Sequence, residues 1–393
     1  AITSILFNIP GEAWSVATTF DGYPMAQQGR AAEALTAAFT SSFIGSLVAV
    51  LLITFLAPGI ASFALRFGPP EFFSVYLLTF CSFVGLGREE KHKTLISMSL
   101  GLLLAGIGMD TVSAQLRMTF GWEELFRGIN FLVAVIGLFG ISEILLTMEE
   151  RLALRGHAAR ISLRVVWKVW KDLPRYWVTL LRSSAIGCWL GITPGGAIAA
   201  SFMSYNLAKR FAKDKKGFGK GRIEGVFAPE TAAHASGTAA LLPMLALGIP
   251  GSGTAAILLG GLMVWGLNPG PLLFVEHKDF VWGLIASMYL GNVVGLVMVL
   301  STVPIFASVL RVPFSAIAPM IVVSCAVGAY AIQNAMFDIW LMLGFGVLGY
   351  VFKKIAIPLA PFTLALVLGN RAEDSFRLSM IGAGGDMRVF WSN

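Results

Sequence analysis

Gly191-Ile192-Thr193-Pro194-Gly195-Gly196 and Leu247-Gly248-Ile249-Pro250-Gly251-Ser252-Gly253 interrupt sequence that is otherwise strongly apolar. Between them lie a basic run, Lys209 to Arg222, and a polar segment, Ala228-Pro229-Glu230-Thr231-Ala232-Ala233-His234. Proline removes a backbone donor and clashes with the preceding turn, and glycine opens conformations that other residues avoid. A membrane helix broken in this way frees backbone N–H and C=O groups that lipid cannot satisfy. Such breaks persist only where protein or a watery cavity surrounds them, and in transporters they build the substrate and ion site near the midplane.

Composition sets the class. Of 393 residues, 56% are hydrophobic and only 13% charged, well under the share of a soluble domain. Apolar runs of spanning length recur along the chain. The expected fold is an all-α polytopic membrane protein made of two repeats in inverted orientation, with Pro-Gly-broken helices or re-entrant hairpins. Cys81, Cys188 and Cys325 all fall in apolar segments without metal-ligand spacing, so they read as buried free thiols. The net charge of +7 is not a nucleic-acid signature. Fifteen of the 29 basic residues lie in two stretches, Arg151–Arg182 and Lys209–Arg222, which the positive-inside rule places in the cytoplasm.

Outward from the central breaks, spans are expected at about 32–58, 71–87, 94–109 and 129–147, then at 280–303, 314–332, 336–352 and 355–369. Asp110–Arg127 and Asn370–Asn393 read as a polar loop and a polar tail. Asp21, in Asp-Gly-Tyr-Pro, reads as a turn residue. Arg151–Arg182 sets basic residues at helical spacing beside Trp167, Val169 and Trp170, the pattern of an amphipathic helix lying on the membrane surface. Ile9-Pro10-Gly11 aligns with Ile249-Pro250-Gly251 at an offset of 240 residues, with Glu12 opposite Ser252. The division that follows is 1–150 as the first repeat with its spans, 151–182 as a cytoplasmic amphipathic basic linker, and 183–393 as the second repeat with the C-terminal spans. The first-repeat counterpart of Pro194-Gly195 would lie before residue 1, so the N-terminus reads as truncated.

Residues 1–29, 183–208 and 223–277 contain no Lys or Arg. An anion held there would depend on helix N-termini and hydroxyls. The candidate substrate-binding set is Asn8, Pro10, Gly11, Ser15, Pro194, Gly195, Ser204, His234, Gly251, Ser252 and Thr254. A di- or tricarboxylate there needs an accompanying cation, and Glu12, Thr18 and Glu230 are candidate Na⁺ ligands. Bland roles stand beside these: a Pro-Gly pair can be a plain kink, Glu230 a residue at the start of a helix, and His234 a packing residue, a substrate donor or a proton relay. No catalytic motif such as H-E-x-x-H or G-x-S-x-G is present, and no cofactor is expected beyond a coupling ion, Na⁺ or H⁺.

Gly191-x-x-Pro194-Gly195, Ser204-Tyr205, Lys209-Arg210, Phe218-Gly-Lys-Gly221-Arg-Ile-Glu224-Gly225-Val-Phe-Ala-Pro229-Glu230 and Leu247-Gly-Ile-Pro-Gly251 resemble the large membrane subunit of tripartite tricarboxylate transporters. Asn8-Ile-Pro-Gly-Glu12, Asp21-Gly-Tyr-Pro-Met25, Pro269-Gly-Pro271 and Gly382–Phe390 extend the resemblance over essentially the whole chain. It implies a multi-pass permease of the bacterial inner membrane, working in the lipid bilayer with a periplasmic solute-binding protein and a small membrane subunit. Its substrates would be citrate-like or other organic carboxylates, driven by an ion gradient. Ala197 stands where the family usually has Gly, and Ala233-His234 where it usually has Asn-Asn. A passive channel, or an intramembrane enzyme acting on a small or lipid substrate, are the competing classes.

Overall fold

The computed structural model describes residues 1–8, 13–86, 90–110, 113–150, 161–193, 196–212, 214–309 and 314–391. Helices dominate, and the strand content is a two-residue-per-strand hairpin. In chain order the helices begin with α1 (Ile2–Phe7), α2 (Val16–Gln27), α3 (Ala31–Ala64), α4 (Pro69–Leu86) and α5 (Lys91–Ala105). After the hairpin, α6 (Phe131–Val135) runs through a π-helical turn at Ile136–Ile141 into α7 (Ser142–Glu150). Then come α8 (Leu163–Asp172), α9 (Trp177–Ile192), α10 (Gly196–Phe211), α11 (Glu224–Ala239), α12 (Leu241–Leu247) and α13 (Gly253–Val264). The chain continues through α14 (Leu273–Glu276), α15 (Lys278–Val309), α16 (Phe314–Gln333), α17 (Met336–Lys354) and α18 (Leu359–Gly382). Four described helices are long and apolar enough to cross a membrane: Ala31–Ala64, Phe131–Glu149, Lys278–Val303 and Met336–Lys354.

The chain divides into two compact units, and each draws on both halves of the sequence. The first comprises residues 1–60, 153–246 and 272–312; the second comprises 61–152, 247–271 and 313–393.

In the first unit α11 is the organising helix. It packs against α9, α10 and α2, and it is buried along most of its length although it carries Glu224, Glu230, Thr231 and Ser236. Small residues on its neighbours allow this. A Cβ on Gly187 of α9 would lie 2.4 Å from the Ala232 carbonyl oxygen, and one on Gly45 of α3 would lie 2.2 Å from that of Thr231. Gly187 and Gly191 are four residues apart, so both sit on the face of α9 that meets α11, the close-approach device of membrane helices. Ile5, Leu6, Met25, Leu35, Val226 and Phe227 complete the apolar core around the α1–α2 hairpin. The helix α8 buries Val166 and Val169 and leaves Leu163, Trp167 and Trp170 exposed beside its basic residues, so it is amphipathic.

Asp21 departs from the turn reading. It lies within α2, fully buried. Its Oδ1 accepts the backbone N–H groups of Gly219, Gly221 and Arg222 at 2.8–2.9 Å, and its Oδ2 accepts the Tyr205 hydroxyl at 2.9 Å. Asp-Gly-Tyr-Pro signals a turn in isolation, but here donors some 200 residues away in sequence satisfy the carboxylate and keep the segment helical. The loop folds around that oxygen because Gly219 and Gly221 take φ values of 80° and 92°, open to glycine at little cost.

In the second unit α18 packs on α5 and α4, and α17 packs on the π-helical turn. Gly101 of α5 meets the Phe362 carbonyl and Gly137 meets that of Met342, with Cβ positions that would fall 2.4 and 2.3 Å away. The stretch read as a polar loop holds the antiparallel hairpin Gly108–Met109 with Leu116–Arg117. The stretch read as a polar tail is helical to Gly382. One ion network explains both differences: Arg377 donates to Asp110 at 2.5 Å, Arg117 to Glu373 at 2.6 Å, and Arg377 also meets Glu373 at 3.3 Å. The hydrogen bond to Glu373, with that carboxylate's charge, holds the Arg117 guanidinium above its ordinary range. Charges that mark a solvated segment in sequence thus pair across the hairpin and α18.

Candidate functional site

A buried polar centre of the first unit lies midway along α11. Glu230 is 2% exposed. Its Oε1 accepts the Thr18 hydroxyl of α2 at 2.7 Å, and its Oε2 accepts the Ser42 hydroxyl of α3 at 3.2 Å. One turn on, His234 places Nδ1 3.5 Å from Oε2 and 3.1 Å from the Glu230 carbonyl oxygen. The imidazole is half-exposed and lines a cavity of about 250 Å³ bounded by α3, α11 and α15. Ser42, Ser46 and Asn292 supply polar lining there, and Phe39, Phe43, Leu296 and Val299 supply apolar lining. Ser46 accepts a hydrogen bond from Thr238 at 3.3 Å, and the Asn292 amide donates to the Phe43 carbonyl at 3.0 Å. Among the described residues no Lys or Arg pairs with Glu230. The nearest flanking guanidiniums are engaged elsewhere: Arg30 with Glu33 at 2.7 Å and Arg222 with Glu224 at 2.9 Å. A buried carboxylate costs several kcal/mol unless paired and hydrogen-bonded. Here two hydroxyls and an imidazole offset that cost.

Of the sequence-derived candidates, the structure thus brings Thr18, Glu230 and His234 together, and adds Ser42, which sequence reading missed. The helical register of α3 was legible, but which of its hydroxyls faces α11 is fixed by the Gly45 crossing. Glu230 sits inside α11 rather than at its start. Ser204 is buried, with its hydroxyl between Ser183 at 2.5 Å and the Ala228 carbonyl at 3.0 Å, and it ties α10 to α9 and α11. Ser15 is buried at the start of α2, and Asn8 ends α1 in the left-handed conformation, φ 59°. Pro10, Gly11, Glu12, Pro194 and Gly195 lie outside the described residues.

The third break belongs to the second unit. Ser252 is extended (φ −150°, ψ 164°) and caps α13, its Oγ accepting the Ala255 N–H at 3.1 Å. Gly251 is buried and Thr254 exposed. The absence of Lys and Arg from residues 223–277 does not leave this loop without a cation. Arg371 of α18 lies beside it: a Cβ on Gly248 would fall 3.0 Å from Nη1, and Nη2 donates to the Met263 sulfur at 3.4 Å. Among the described residues Arg371 forms no ion pair. It falls in the stretch read as a tail, more than 100 residues from the loop, so only tertiary packing reveals it. Among the described residues there is no group of three or more His, Cys, Asp or Glu suited to a metal ion.

These features define a polytopic helical membrane protein with a buried carboxylate centre. The chain belongs to the tripartite tricarboxylate transporter TctA family, whose model matches residues 1–364. Two relatives come from Agrobacterium vitis. The "uncharacterized 52.8 kDa protein in TAR-I ttuC' 3'region" is 36% identical over 395 residues, covering 100% of this chain and 78% of the relative. The "uncharacterized protein in TAR-II ttuC' 3'region" is 36% identical over 208 residues, covering 53% of this chain and 86% of the relative. No solved structure matches the chain. Family membership makes this the large membrane subunit type of a tricarboxylate transporter.

Proposed function

We propose that this chain is the permease subunit of a binding-protein-dependent secondary transporter that takes up organic carboxylates across the bacterial inner membrane. It works with a periplasmic solute-binding protein and a small membrane subunit, and a gradient of Na⁺ or H⁺ drives it. The observation that carries this reading is Glu230, a buried carboxylate held by hydroxyls and one imidazole beside a cavity. Intramembrane carboxylates are costly, and they characteristically mark ion and substrate pathways. The loop at Leu247–Ser252, with the N-terminus of α13 and the Arg371 guanidinium, supplies the charge complement of a substrate carboxylate. Its recognition of an anion disfavours the passive-channel reading, which would need conduction without a bound-substrate step.

The test is reconstitution of the three-component system in proteoliposomes, with radiolabelled citrate first in a panel of di- and tricarboxylates. Accumulation is expected only with the binding protein and an imposed ion gradient. Uptake at full rate without either contradicts the reading. In the same assay Arg371→Gln is expected to raise the apparent KM at least about tenfold, since a hydrogen bond to a charged group contributes about 1.5–3 kcal/mol. Folding should be spared, because Arg371 carries no ion pair whose partner would be stranded. An unchanged KM would remove Arg371 from the substrate path.

A further inference from the structure

We infer that the coupling ion is a proton, carried by the His234–Glu230 pair. This rests on the transport reading above and deepens it. The donor arrangement decides between the two ions. Both Glu230 oxygens already accept hydroxyl hydrogens, from Thr18 and from Ser42, and the Ser42 hydroxyl is shared with the Ala38 carbonyl at 2.8 Å. A hard cation needs several oxygen lone pairs converging on one point. Among the described residues the oxygens that meet the carboxylate are those two hydroxyls, and the third polar partner is an imidazole nitrogen at 3.5 Å, a poor ligand for a hard cation. Glu230 and its neighbours Phe227 and Thr231 lie within continuous helix, so no unwound carbonyl is offered there.

The same arrangement suits a proton. Imidazole is the side chain whose charge changes near neutral pH. His234 lines the cavity and also stands beside a carboxylate that is 2% exposed. With the imidazole neutral the pair carries −1; with the imidazole protonated it carries 0, as an ion pair. Thr18 faces Glu230 from α2, Ser42 from α3 and His234 from its own helix. Among the described residues no Asp, Glu, Lys or Arg lines the cavity, and His234 is its one titratable side chain. An anionic substrate entering that cavity is disfavoured by a pair at −1 and tolerated by a pair at 0. Linkage then makes the effect reciprocal: bound substrate favours the protonated pair by the same factor as the proton favours substrate, typically about 5–150-fold. One proton moves with the substrate, passing from the outer aqueous side to the imidazole and from there to the inner side, and no electrons are exchanged.

The test uses the reconstituted system, with the small membrane subunit and binding protein present. Uptake of radiolabelled citrate and the rest of the carboxylate panel is driven separately by an acid-outside pH gradient in Na⁺-free buffer and by a Na⁺ gradient at equal pH. The expected result is accumulation with the pH gradient alone. His234→Gln is expected to lose that accumulation by about tenfold or more while keeping the parent's monodisperse size-exclusion peak and Tm. The peak and Tm serve as the control for folding, since the imidazole is half-exposed and its hydrogen bond and ion contact lie within its own helix. Accumulation that follows Na⁺ alone, or undiminished pH-driven accumulation by His234→Gln, overturns the proton assignment and leaves the transport reading standing. Absence of uptake under either gradient in the unmodified protein overturns the transport reading itself.

Discussion

Replacing Asp21 by alanine is expected to abolish the folded first unit rather than to tune activity. The carboxylate accepts four hydrogen bonds, three from backbone N–H groups of the glycine-rich basic loop and one from Tyr205. Alanine strands all four donors, each at a cost of about 1–3 kcal/mol where buried. The sum exceeds about 4 kcal/mol, most of the net stability of an ordinary domain. The Cβ of alanine also leaves open the space against Gly225, where the Asp21 carboxylate now sits in close contact. Asp21→Asn offers a graded comparison. Its amide oxygen can keep the three backbone donors, and its NH₂ can face the Tyr205 oxygen, which is able to accept. Fluorescence-detected size exclusion of membrane extracts should show Asp21→Ala absent or aggregated and Asp21→Asn as a monodisperse peak with a lowered Tm. Wild-type thermal stability for Asp21→Ala would contradict this anchor.

The spans were legible because apolar length alone marks them: the expected 32–58 and 336–352 lie within Ala31–Ala64 and Met336–Lys354. Proline and glycine are local punctuation of the same kind, and the described helices α9 and α12 end at Ile192 and Leu247. What sequence could not give was partnership. Asp21 and Arg377 look alike as solvated charges until Gly219–Arg222 and Asp110 arrive from distant segments. Likewise α11 reads as a polar, small-residue stretch. It is the most enclosed helix of its unit because Gly45, Gly187 and Gly191 give it room, and a Gly-x-x-x-Gly spacing at 187 and 191 was the one signal that could have shown it. Of the candidate site, Thr18, Glu230 and His234 were named from residue type, whereas Ser42 and Arg371 are fixed by packing alone.

The central claim is that the Glu230 centre serves transport and not stability, and Glu230→Gln separates the two. Glutamine keeps the shape, and its amide oxygen can accept from Thr18 or Ser42 as the carboxylate does. Removing a buried charge while keeping its volume is often neutral or stabilising, so expression and Tm should match the parent or exceed it. The carboxylate partner of the protonated His234 imidazole is lost, however, and coupling at the upper end of the usual range corresponds to a fall of about a hundredfold. The measurement is gradient-driven uptake of labelled carboxylate by Glu230→Gln proteoliposomes, normalised to folded protein. The account predicts a fully folded variant whose accumulation falls by about a hundredfold; accumulation at the parent rate would contradict it.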